Sequence, residues 1–185
     1  MREHDHVIKV LEEAEEAAKL GDIFKLRSLS DQTIHSAAIY QDTDNILVAV
    51  IIYSLSKLLE RKSNYSDKVF KKYFDYYLKT IEHSKNFIGK NKTELFRDSI
   101  NELAQVKGFS EDIKKNMQDV LQKARINKAS RVYEHGISMG ATAKLLGISI
   151  WELSNYTGQT AISDNKMGET VSVKDRIKNA MEMFE

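Results

Sequence analysis

Five histidines set the catalysis or metal binding this chain could attempt, because imidazole is the side chain that ordinarily changes charge near neutral pH. His4 and His6 flank Asp5, a spacing that could hold a metal ion loosely, but at a terminus a frayed, solvated helix end is the simpler expectation. His35, His83 and His135 lie far apart. No His-Glu-x-x-His spacing, which aims two imidazoles and a general base from one helix face at zinc, occurs. His35 follows Ser28, Ser30, Asp31 and Thr33, so a hydroxyl, carboxylate and imidazole cluster can be drawn, yet a lone His beside an apolar stripe ordinarily settles on a carbonyl. The chain has no Cys, which removes thiolate nucleophiles, thiolate zinc sites and disulfides. Gly136 and Gly140 bracket only three residues and follow no strand, so they form no phosphate loop. The sequence therefore predicts no catalytic residue, no metal and no cofactor, and a protein that acts by binding.

Two segments carry binding chemistry. The stretch 68–79 interleaves Lys68, Lys71, Lys72 and Lys79 with Phe70, Tyr73, Phe74, Tyr76 and Tyr77. Cations among rings can grip RNA by phosphate contact and base stacking. At helical spacing, however, Phe70, Tyr73, Phe74 and Tyr77 fall on one side, as bundle core, and leave the lysines and Tyr76 at the surface. A basic patch meeting ribosomal RNA and a plain solvated face both remain open. The second segment, 139–158, has the spacing of a helix-turn-helix: a small Ala143 where two helices cross, Gly147 in the turn, and Leu146, Ile148, Leu153 and Tyr156 where inner faces meet.

These residues must be positioned by helices. No Pro occurs, where average usage near 5% gives about nine, which suits long helices joined by short turns. Val7, Val10, Leu11, Ala14, Ala17 and Ala18 recur three and four apart and stop at Gly21; Leu26, Leu29, Thr33, Ile34, Ala37 and Ala38 continue the rhythm to a turn at 41–44. From Asp44 or Asn45 as cap, the next helix is apolar nearly all round, the pattern of an element surrounded by others. Ser66 caps a helix reaching Gly89, Thr93 one closing at Gly108, and Ser110 opens a long helix toward His135 and Gly136. The spacing predicts an all-α protein: a helical bundle over 1–108, a long helix plus helix-turn-helix over 109–160, and a tail with a final amphipathic helix over 161–185, begun by Ser172 and Asp175. The longest apolar run, 46–53, is far short of the roughly 18 residues of a membrane span, so no membrane partner is expected. No secretory signal is visible, and a cytoplasmic protein is expected.

Residues 136–153, Gly-Ile-Ser-Met-Gly-Ala-Thr-Ala-Lys-Leu-Leu-Gly-Ile-Ser-Ile-Trp-Glu-Leu, resemble helix-turn-helix segments of archaeal and bacterial transcriptional regulators and small antitoxins. The resemblance covers about twenty-five residues, 136–160, and does not extend to the amino-terminal bundle. It implies a DNA-binding regulator or antitoxin-like protein, docked on double-stranded DNA as a homodimer, with Ser149, Ile150, Trp151 and Asn155 facing the major groove. The residues depart from that pattern in carrying no Lys or Arg on the second helix. Only Asn155 and Gln159 could bond a base edge, and Glu152 would be repelled by phosphate, leaving Lys128, Arg131, Lys144 and Lys166 as flanking backbone contacts. A net charge of +1 supplies no global attraction for a polyanion. The alternative is an interaction module that meets a protein partner, with Trp151, the sole Trp, as anchor. Trp151 has a second reading too, in which residues 161–173 fold back and bury the indole.

Overall fold

The apolar run 46–53 lies inside a helix, Thr43–Glu60, that is surrounded by others and feeds two cores. In the computed structural model, which describes residues 4–40, 42–105 and 111–159, the described residues form eight α-helices and a short 3-10 turn at Lys62–Asn64, with no strand. They are α1 (His4–Leu20), α2 (Ile23–Tyr40), α3 (Thr43–Glu60), α4 (Asp67–Gly89), α5 (Thr93–Gln105), α6 (Glu111–Glu134), α7 (Met139–Leu146) and α8 (Ile150–Gln159). The fold is all-α, as its composition and periodicity predict. The tail, where an amphipathic helix is expected, with Lys166, Ser172 and Asp175, lies outside the described residues, as do Gly108 and Ser110.

α3 touches α1, α2, α4, α5, α6 and α7, which accounts for a helix with almost no polar side. Val48, Ile51, Ile52 and Leu55 join the larger core with α1, α2, α4 and α5, where Tyr73, Tyr77 and Phe96 are fully buried. Ile46, Ala49 and Val50 turn the other way. They meet Ile34 and Ala37 of α2, Ala124, Ala129 and Val132 of α6, and Ala143, Leu146, Ile148 and Leu153 of the carboxy-terminal motif. Five alanines in this second core let the backbones approach closely, so the motif is fastened to the bundle by shared apolar burial.

The start of α3 corrects the expected cap. Asp42, with an extended backbone, accepts a hydrogen bond from the Asp44 amide at 3.0 Å, and the helix begins at Thr43. Asp44, only 2% exposed, instead accepts the Arg97 fork from α5, Nε at 2.6 Å and Nη2 at 3.2 Å. A buried carboxylate needs such a partner, and a cap position would leave it in solvent. Ser30 ties α2 to α3 by donating to the Ala49 carbonyl at 2.7 Å. Among the described residues no helix is long and apolar enough to cross a membrane.

Candidate helix-turn-helix contact surface

Ser138 caps α7, its Oγ accepting from the Ala141 amide at 3.3 Å, and Gly147 ends it in the left-handed region at φ 64°. In that conformation the Ile148 amide donates back to the Ala143 carbonyl at 3.1 Å, which turns the chain and seats Ile148 in the second core. A Cβ at Gly147 would meet open space, so its cost is conformational alone. Gly147→Ala is expected to lower stability by about 1–2 kcal/mol, read from the urea midpoint at unchanged helix content. A neutral result would show that the turn relaxes into another geometry.

Ser149 and Glu152 then build a capping box that starts α8. Ser149 Oγ accepts from the Glu152 amide at 3.1 Å, while Glu152 Oε2 accepts from the Ser149 amide at 2.8 Å and from its hydroxyl at 2.7 Å. Gln122 of α6 donates to the other Glu152 oxygen at 2.8 Å. The Ser149 amide bond, then the Ser149 hydroxyl and Gln122, hold the Glu152 carboxyl below the ordinary carboxylate range. The carboxylate therefore occupies the positive end of α8.

Leu153, fully buried, and Thr157 face inward, and the half-buried Tyr156 accepts a hydrogen bond at its hydroxyl from Asn127 Nδ2 at 2.9 Å. The other side of α8 is open: Ile150 is 54% exposed, Trp151 79% exposed, and Ser149 and Asn155 are exposed as well. Lys144 is exposed on α7, and the Gln159 side chain lies outside the described residues. Residues 161–173, the segment expected to cover the indole, also lie outside them.

Two expected phosphate contacts are engaged elsewhere. Lys128 is 1% exposed: its Nζ donates to Asp31 of α2 at 2.8 Å and stands 4.2 Å from the centre of the Tyr53 ring of α3. Arg131 pairs with Glu134 at 2.9 Å. The signal for Lys128 is in the sequence, since it falls one turn after Ala124 and one before Val132, inside the apolar stripe of α6.

On α4, Lys68, Lys71, Lys72 and Lys79 are exposed while Phe70, Tyr73 and Tyr77 are buried on the opposite side. The half-buried Tyr76 donates to the Glu102 carbonyl at 3.3 Å. Cations and rings thus separate onto different faces instead of forming a stacking groove. His35 of α2 meets His135, just past the end of α6, ring against ring, and His83 lies against Phe87. Among the described residues no group of three or more His, Asp or Glu is placed to hold a metal ion. No family model matches the chain, and no curated protein or solved structure matches it.

Proposed function

We propose that this chain is a non-enzymatic, antitoxin-like interaction protein whose helix-turn-helix docks on a partner protein through the exposed start of α8. The adjacent Ile150 and Trp151, 54% and 79% exposed on a helix anchored from beneath by Leu153, carry this reading. Leaving a large aromatic and a branched aliphatic side chain in water is unfavourable unless a partner removes them, and Trp is prominent among the residues that dominate interface energies. Electrostatics favours protein over DNA. The amide end of α8 is occupied by Glu152, Lys128 is buried and Arg131 is paired, so few cations remain beside the motif to neutralise phosphate.

The regulator reading is kept second on one observation: Asn155 and Lys144 are both exposed on the motif, a base-edge donor and a phosphate contact. As a dimer, two such motifs would add their contacts. Capture from the host lysate by immobilised chain, compared with Trp151→Ala, and a gel shift on random duplex across a salt series separate the two. The protein-partner reading expects one captured protein that the variant loses, and no shift at physiological salt. A shift that persists there, weakens steeply as salt rises and is lost in Lys144→Ala but not in Trp151→Ala would replace it with the regulator reading.

A further inference from the structure

His35 of α2 and His135, just past the end of α6, lie a hundred positions apart in sequence, yet their ring centres are 5.0 Å apart with an interplanar angle of 62°. We infer that this pair is a two-histidine site for a borderline divalent transition ion, zinc being the reference case, that fastens α2 to the joint from which the helix-turn-helix departs. The separation carries the inference. With Zn–N near 2.05 Å and a nitrogen about 1.15 Å from its ring centre, two imidazoles on one tetrahedral ion place their ring centres about 5.2 Å apart. The two rings are therefore near enough to share one ion once their nitrogens are turned toward it.

Both rings are exposed, so the ion can reach them, and water can fill the two remaining positions. The tilt sets one ring edge toward the other's face, and a swivel about the side-chain torsions of an exposed residue is enough to aim both nitrogens at one ion. Neutral imidazole is a preferred ligand for zinc, copper and nickel, whereas magnesium and calcium demand oxygen. The location gives the ion a consequence. His135 directly precedes Gly136 at φ 86°, where the chain turns from α6 toward α7, and α2 belongs to the bundle. An ion bound only by the folded arrangement resists the separation of those two parts. The site is independent of what α8 binds.

Calorimetric titration of the intact chain with zinc alone tests it, with cobalt as a spectroscopic probe. One ion per chain is expected, with intense visible absorption from tetrahedral cobalt and a melting temperature that climbs with zinc concentration. His35→Ala and His135→Ala, and equally His35→Asn and His135→Asn, should each weaken binding by at least about tenfold and abolish the thermal shift. His4→Ala with His6→Ala should change neither, which separates this site from the loose His-Asp-His sequence at the start of the chain. Absence of zinc binding, binding unchanged by the His35 or His135 variants, or binding that follows His4 and His6 would each overturn the inference.

Discussion

Lys128→Ala is expected to lower the unfolding free energy by about 2–4 kcal/mol, whereas Lys128→Met should leave it within about 1 kcal/mol of the parent or raise it. The contrast follows from what the residue buries. Its four-carbon stem is almost wholly buried on the α6 stripe that carries Ala124 and Val132, and alanine would leave a void in its place. The charge is a separate matter. Burial of the ammonium is only offset by Asp31, itself 55% exposed, and by the Tyr53 ring, so methionine keeps the volume and removes the desolvation penalty without stranding a buried partner. The pH dependence distinguishes the terms. Burial pushes the Lys128 ammonium down from its ordinary value of 10.5, with Asp31 opposing. Between that lowered value and 10.5 the unfolded chain binds more protons, so stability rises with pH; below it the penalty is constant. Lys128→Met should flatten the rise. Tyr73 and Tyr77 act oppositely: burial raises both above 10.0, so ionisation of the unfolded chain erodes stability as pH passes that value. Burial pushes the Lys57 ammonium down as well, so the difference between the parent and Lys128→Met urea midpoints, from neutral pH to just below 10, is what isolates Lys128, and equal losses for Ala and Met would refute the assignment.

The parts of this fold legible in the sequence are those set by periodicity. The stripe through Val7, Leu11, Ala14 and Ala18 is the buried face of α1, and the all-round apolar pattern of α3 corresponds to two cores. The choice of cap within Asp42-Thr43-Asp44-Asn45 is not periodic. It turns on which carboxylate Arg97, 53 positions away, can reach. Glu152 shows a different failure. Its spacing three residues after Ser149 is that of a capping box, so the structural role is local and legible, and weighing only its charge against phosphate conceals it. His35 and His135 share no local pattern at all, and only the packing of α2 on α6 brings them together. Trp151 sits between these cases: helical spacing puts it outward, and its 79% exposure agrees, but the preference of large aromatics for burial argues the other way.

Trp151→Ala is expected to weaken capture of the protein partner by about 30-fold or more, the cost of a hot spot worth at least about 2 kcal/mol, while stability moves by no more than about 0.5 kcal/mol. Leu153→Ala, two positions along the same short helix, should do the reverse to the fold and cost about 2–5 kcal/mol, because that side chain is wholly buried. The pair separates loss of a contact from loss of the helix that presents it. Since Trp151 is the sole Trp, its fluorescence reads the same surface directly. An open indole emits at the red, water-exposed end and is quenched freely by acrylamide, and partner binding then shifts emission to the blue and shields it. Blue, shielded emission from the isolated chain, joined to a large stability loss in Trp151→Ala, would mean that the protein covers this residue itself and that α8 offers no apolar anchor to a partner.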